Sequence, residues 1–267
     1  MRKGGGRLRH TLGLVSESPR VPERVDDPVM RMRWSDLTFL HWPYEPDRVQ
    51  RLLPPGLEAE TFDGSAWVGL IPFRMTVRAS RGPAVPWVSF FPETNVRTYV
   101  RAPDGTTGIW FFSLDAAQLG AVVAARSWLG LPYEWARMAV RMDGGGGEGS
   151  VLRYRCARHD RPGRGTDHRG PRPTSTADVQ IGPAIHRTDV TDLEEFVTAR
   201  FRLYSVSRGN LLSMPAEHGP WPLHRARTLG LRDRLVEAAG LPRPSGDPLV
   251  LSSPGVDVRV GRPTRIA

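Results

Sequence analysis

Residues 90–134 read FFPETNVRTYVRAPDGTTGIWFFSLDAAQLGAVVAARSWLGLPYE, and this stretch decides the architecture. From Glu93 to Arg101 the side chains alternate. Val96, Thr98 and Val100 share one face, and Glu93, Asn95, Arg97, Tyr99 and Arg101 share the other. Asp104-Gly105 is a hairpin signal, because both residues tolerate a positive φ. The return strand, Gly108 to Leu114, is apolar on both faces through Ile109, Trp110, Phe111 and Phe112. That is the pattern of a strand covered on both sides, as in a barrel wall with a helix outside it. The polar face is either solvated or lines an enclosed lumen. Mixed charge beside a strand buried on both faces favours the lumen.

Asp115 is a suitable N-cap and Gly130 a suitable C′ residue, so a helix is expected from about Ala116 to Leu129. Its apolar stripe is Leu119, Val122, Val123 and Leu129. Arg126 falls on the same stripe, which turns it inward. A buried arginine requires a partner, and Glu93 is the candidate. The pair is either structural or part of a site for a small carboxylate.

The formal charge of +9 is concentrated at two places. Residues 1–33 hold eight Lys/Arg against four Asp/Glu, and residues 153–172 hold seven against two. The remainder is balanced, so a specific nucleic-acid surface is not indicated, although basic segments bind polyanions weakly. Lys3 is the only lysine, beside 36 arginines. The single cysteine, Cys156, excludes an internal disulfide and fits a reducing cytoplasm. An inert thiol is the plain reading. No apolar run has the length of a membrane span or a signal peptide.

Residues 1–30 lack hydrophobic periodicity and read as a disordered tail, with residues 31–267 as one domain. Met30 and Met32 are alternative candidate starts. Arg33 to Trp42 forms a first strand, where His41 alternates with Leu40 and Trp42 and suits a structural histidine better than a ligand contact. Pro46 opens a short helix carrying Val49, Leu52 and Leu53, which Pro54-Pro55-Gly56 ends. Strands follow at Leu57 to Thr61 and Ala66 to Val77 around an Asp63-Gly64 turn, then a loop over residues 82–92. Further strands are expected at Trp135 to Arg141, Val151 to Ala157 and Asp178 to Ile185, with a long Arg-rich loop before the last. Thr191-x-x-Glu194 is a capping box. Short strands at Tyr204 to Arg208 and Leu211 to Pro215, a helical segment at Arg232 to Ala239 and a strand at Val256 to Val260 complete the chain. His218 and His224 lack zinc spacing, so no metal and no cofactor is assigned. Many short strands without a βαβ rhythm point to an antiparallel barrel or cone with attached helices.

Several stretches resemble the YqjF-like family of conserved bacterial proteins: LTFLHWPYEPDRVQRLLPPGLEAETFDGSAWVGLIPFRM, FPETNVRTYVRAPDGTTGIWFFSLDA, ARSWLGLPYEWARM, LEEFVTARFRLYS, EHGPWPLHRA and SPGVDV. They cover most of Leu37 to Val258. A fainter resemblance reaches acetoacetate decarboxylase, through Arg51 to Leu57, Phe91-Pro92-Glu93 and Ala125 to Glu134. It implies an α+β, mainly antiparallel, cone-shaped acetoacetate-decarboxylase-like β-barrel with a few packed helices. Glu93 matches a site glutamate of that family, Arg126 matches its motif arginine, and its second glutamate matches apolar sequence near Leu70. Tyr133 stands where the family has its Schiff-base lysine and Glu134 where it has the neighbouring lysine. Lysine-based decarboxylation is thereby excluded for this fold.

Three functions remain open. The first is a lyase, hydratase or isomerase acting on a keto or enolic acid. There Glu93 and Tyr133 would be catalytic, and Arg97, Arg126, Asn95, Tyr99 and His41 would bind substrate. The second is a non-catalytic barrel binding the same kind of small organic acid. The third is a structural or interaction protein whose eight tryptophans are core. A homo-oligomer is left open.

Overall fold

In the computed structural model, residues 24–79, 90–120, 122, 126, 129–159 and 172–266 are described. Their strands, in chain order, are β1 (Met30–Tyr44), β2 (Glu58–Ala59), β3 (Thr61–Phe62), β4 (Ser65–Ala79), β5 (Phe90–Arg101), β6 (Thr107–Ala116) and β7 (Tyr133–Asp143). Next come β8 (Val151–Arg158), β9 (Thr174–Ala184), β10 (Arg202–Ser207), β11 (Asn210–His218), β12 (His224–Asp233), β13 (Leu249–Val260) and β14 (Thr264–Arg265). All fourteen belong to one sheet.

The pairings return on themselves twice. One circuit runs β6, β7, β8, β9, β12, β13, β1, β4, β5 and back to β6. The other runs β6, β10, β11, β13, β1, β4, β5 and back to β6. Strands β1, β4, β5, β6 and β13 therefore form a wall common to both circuits, with an interior on each face. Two hydrophobic clusters fill those interiors. Leu37, Phe39, Ile71, Phe73 and Phe111 lie in one, and Leu40, Trp42, Val68, Leu70 and Val96 lie in the other. This explains why these strands read as nearly continuous apolar runs.

Alternation alone would not put the right β1 residues in each interior. Met30, Met32 and Trp34 face the same cavity as Leu37, although a period of two separates even from odd positions. The phase changes at a bulge between Ser35 and Leu40, where Asp36 adopts a φ of 48°. Three contacts fix this bulge. The Tyr154 hydroxyl donates to the Asp36 carbonyl at 2.7 Å. Thr38 Oγ1 lies 2.9 Å from the same hydroxyl, and Arg74 pairs with the Asp36 carboxylate at 3.2 Å. A second irregularity, between Val96 and Arg97 on β5 and Ser113 and Phe111 on β6, does the same for β6. It brings Leu114 onto the face of Ile109 and Phe111.

Several expectations are refined. The β5–β6 hairpin is present, but its turn includes Pro103, with Gly105 N donating to Ala102 O at 2.9 Å, and of Asp104 and Gly105 only Gly105 takes a positive φ. Asp115 is not an N-cap. Strand β6 continues through Ala116 because Leu114, Asp115 and Ala116 pair in parallel with Tyr133, Glu134 and Trp135 of β7. Helical residues begin at Leu119, and this β6–helix–β7 crossover makes the sheet mixed rather than purely antiparallel. Of the expected stripe, Val122 is buried, Leu119 is exposed, and Val123 lies outside the described residues. The segment at 232–239 is helical only over Leu235–Ala238, since Arg232 and Asp233 pair with Thr176 and Ser175 on β9. The capping box forms as expected, at the start of the helix Asp192–Thr198.

Residues 1–23, 80–89 and 160–171 lie outside the described residues, and with them most of the expected tail and Arg-rich loop. The last part of that tail is ordered against the sheet. Val25 is buried, its N–H donates to Glu217 Oε2 at 2.8 Å, and Val29 N donates to Val260 O at 2.9 Å. No described helix is long and apolar enough to cross a membrane.

Gly255 of β13 pairs with Ser35 at the bulge and has a φ of +116°. A Cβ there would stand 1.8 Å from the Trp34 carbonyl oxygen. Gly255→Ala should therefore lower stability by at least about 2 kcal/mol, seen as a reduced urea midpoint. An unchanged midpoint would show that this close approach does not constrain β1.

Candidate functional site

The polar face of β5 turns inward. Glu93 (2% exposed), Asn95 (5%) and Arg97 (5%) line a cavity of about 60 Å³. Tyr133 lines it from β7. A volume of this size holds roughly four to six water-sized groups. The remaining wall is mostly apolar and includes Trp34, Phe73, Phe111 and four methionines.

Arg97 is the least satisfied charged group here. One Nη2 donates to Val197 O at 3.2 Å and lies 3.4 Å from the Tyr99 hydroxyl. The guanidinium also sits 5.5 Å from the Phe39 ring centre and 5.7 Å from that of Tyr99. Its Nε has no partner, and among the described residues no carboxylate lies within ion-pair distance. Asn95 Oδ1 is likewise buried without a partner.

Tyr99 and His41 hold this arginine from behind. The Tyr99 hydroxyl donates to Val197 O at 2.5 Å, so its lone pairs accept from the His41 Nε2–H at 2.6 Å. His41 is thus the Nε2–H tautomer. Burial, and then the charge of Arg97, keep it neutral by pushing its pKa well down. Neither Tyr99 nor His41 lines the cavity, so both act as supports rather than contacts. Gly69 leaves the room for His41, since a Cβ would stand 2.5 Å from Nε2.

Glu93 and Tyr133 form the second polar group. The Tyr133 hydroxyl donates to Glu93 Oε2 at 2.9 Å. Burial pushes the Glu93 carboxyl up to about 8, against the opposing hydrogen bonds from Tyr133 and Asn95, and Asp115 adds a further upward push. Burial, then the Glu93 charge, raise the Tyr133 phenol well above its ordinary value. At neutral pH both groups carry their protons.

Arg126 does not join them, contrary to the expected Glu93–Arg126 pair. Its side chain is 42% exposed, donates from Nε to the Tyr133 carbonyl at 2.5 Å and pairs with Glu134 at 3.1 Å. The nearer carboxylate, at the start of the adjacent strand, takes the charge. It supports the Tyr133 backbone from outside the cavity.

Two buried ion pairs escaped sequence reasoning. Arg158 clamps Asp115 at 2.5 and 2.8 Å. Arg200 pairs with Glu60 at 2.7 Å and lies 4.9 Å from the Tyr99 ring centre. Their partners are separated in sequence by 43 and 140 positions, so only the β-circuits bring them together. Among the described residues no group of metal-binding side chains occurs. Cys156 is buried, and desolvation pushes its thiol well up, which removes it as a nucleophile.

This sheet belongs to a known class. The fold is that of acetoacetate-decarboxylase-like enzymes. It matches one from Sphingomonas wittichii RW1 with a TM-score of 0.63 at 15% identity, over 90% of this chain and 94% of that one. It also matches the enduracididine biosynthesis enzyme MppR complexed with pyruvate, with a TM-score of 0.62 at 15% identity over 90% and 91% of the two chains. At such identity the likeness concerns the fold alone. The chain belongs to the DUF2071 family, described as an uncharacterized conserved protein, whose model matches residues 31–257. It is 34% identical over 223 residues to uncharacterized protein YqjF of Bacillus subtilis (strain 168), over 83% of this chain and 86% of that protein.

The raised Glu93 pKa has a stability consequence with a fixed sign. The folded state holds this proton more tightly than the unfolded chain. The stability it contributes is complete below the ordinary value of 4.5 and is lost as pH rises to about 8. Glu93→Gln should therefore gain stability relative to the natural protein across that window, by on the order of a few kcal/mol. Parallel melting curves against pH would show no divergence if the carboxyl were ionised throughout.

Proposed function

We propose that the cavity binds a keto or enolic acid, with the carboxylate on Arg97 and the carbonyl or enol carried to Glu93 and Tyr133. The observation behind this is the buried Arg97, which lines the cavity with an unpaired Nε and, among the described residues, no carboxylate partner. A carboxylate ligand supplies the missing anion and relieves a costly buried charge. Asn95 Oδ1 is free to accept from a ligand hydroxyl or enol. That the similar fold of MppR is described in complex with pyruvate supports an oxo acid as the ligand class.

The reaction this arrangement suits is proton exchange at the carbon beside the ligand's carbonyl. In the forward direction the C–H bond breaks and its proton passes to the ionised Glu93 carboxylate. The electron pair moves onto the carbonyl oxygen, which accepts a hydrogen bond from Tyr133. In reverse, protonated Glu93 delivers the proton to the enolate carbon and the electron pair on oxygen re-forms the carbonyl. No amine takes part, since the only lysine is Lys3. A lyase, hydratase or isomerase uses this step. A cytoplasmic location fits a chain with one cysteine and no disulfide.

The same pocket also suits a binding barrel without turnover, because Glu93 is protonated at neutral pH and then acts only as a hydrogen-bond donor. One experiment separates the two. The full chain is incubated in D₂O with pyruvate, acetoacetate or levulinate, and loss of the proton signals beside the carbonyl is followed by NMR. For an enzyme the rate should rise as pH passes about 8 and fall by at least about a hundredfold in Glu93→Gln. Binding without exchange would assign the barrel to ligand storage or sensing. If no acid raised the melting temperature of the natural protein, or if Arg97→Ala bound equally well, the site reading would fail.

A further inference from the structure

Arg97, Asn95 and Glu93 occupy successive inward positions of β5, level with Gly69, Ile71 and Phe73 of β4. Neighbours among them stand about 6.7 Å apart along the strand. The Asn95 amide is held by Glu93, whose carboxyl receives a hydrogen bond from it. The amide nitrogen is the donor in that bond. Asn95 Oδ1 is the atom left over, buried and without a partner, in a residue that lines the cavity. Arg97 Nε is left over in the same way at the next inward position. One of these atoms accepts and the other donates, yet they do not bond to each other.

A group between them has to accept from Nε and donate to Oδ1. A water molecule meets both needs but brings no charge to the guanidinium. A carboxylate supplies the charge, but it only accepts. The donor for Asn95 then comes from the substituent beside the carboxylate. A carbonyl oxygen there has no hydrogen to give. An ammonium there sets a second positive charge next to Arg97, with Glu93 protonated at neutral pH. A hydroxyl has neither defect. We propose that Asn95 is a specificity-determining residue, which selects a hydroxyl on the carbon next to the ligand's carboxylate. This rests on the carboxylate-binding reading above. It narrows the ligand to a short 2-hydroxy acid whose carbonyl lies further along the chain, unlike pyruvate. The cavity of about 60 Å³ limits that chain to roughly four carbons.

The test is ligand-observed NMR titration of the full chain with acetate, glycolate and glycine. All three share a carboxylate and differ in the group beside it. Glycolate should bind about tenfold more tightly than acetate, and glycine at least about tenfold more weakly than glycolate. In Asn95→Leu, which keeps the volume and removes the acceptor, the glycolate preference over acetate should disappear, and Asn95→Ala serves as a second variant. Should both variants fold poorly, the ratios in the natural protein decide alone. Equal binding of acetate and glycolate, both lost in Arg97→Ala, would overturn the role of Asn95 and leave the carboxylate site intact. So would a glycolate preference that persists in Asn95→Leu. Glycine binding as tightly as glycolate would overturn the hydroxyl as the group selected. No binding by any of the three, or binding unchanged in Arg97→Ala, would sink the carboxylate site and this inference with it.

Discussion

A strand with protein on both faces offers its polar side chains no water, and the arrangement of this molecule follows from that constraint. Strands β1, β4 and β5 stand between two interiors. Each polar group on them must find a partner within the wall or face a cavity. Thr98 solves this through the Trp67 carbonyl, Tyr99 through Val197, and His41 through Tyr99 at Nε2, while its Nδ1 stays unpaired away from the cavity. Arg97 and Asn95 remain incompletely satisfied, and both line the cavity. Both stand where a ligand could reach them, and the proposed site rests on these two groups.

The two arginines near Tyr99 sharpen the point. Arg200 has its carboxylate, Glu60, which also receives Arg101 at 3.4 Å. Among the described residues Arg97 has only carbonyl, hydroxyl and ring contacts. The helix Asp192–Thr198 supplies the Val197 carbonyl that both Arg97 and Tyr99 use, so the capping box at Thr191 helps to fix the charged end of the cavity. A single neutral carbonyl cannot cancel a guanidinium in a low-dielectric interior. The local charge is therefore left positive at one end of the cavity, while the neutral Glu93–Tyr133 pair occupies its middle.

Much of this was legible in the chain. Period-two alternation from Glu93 to Tyr99 identified the inward face, and the unbroken apolar run at Ile109 to Phe112 identified a wall buried on both sides. Thr191 and Glu194 marked their helix because capping is local. What could not be read was whatever depends on distant pairing. Asp115 looked like an N-cap because Asp before an apolar run usually is one. Its parallel neighbour Glu134 and its partner Arg158 are brought to it by the circuit. Arg126 fell on the apolar stripe by spacing, yet Glu134 draws it outward. The bulge at Asp36 rests on Tyr154 and Arg74, far away in sequence, and without it Trp34 and Leu37 would not share a face.

The residue at position 133 bears most directly on chemistry. A lysine there would convert a ketone into a cationic imine and draw electrons strongly from the neighbouring carbon. A tyrosine offers one neutral hydrogen bond, a much weaker pull, and Glu93 beside it is protonated at neutral pH. A pair of uncharged donors is better suited to giving a proton than to taking one. In the reaction proposed above, the favoured direction at neutral pH is thus protonation at carbon of an enolate that arrives already formed, with the phenol holding the oxygen as the ketone develops. Abstraction requires the ionised carboxylate, which becomes the major form only above about pH 8. For that proposed reaction, the environment that makes Glu93 a poor base at neutral pH favours enolic acids over simple ketones.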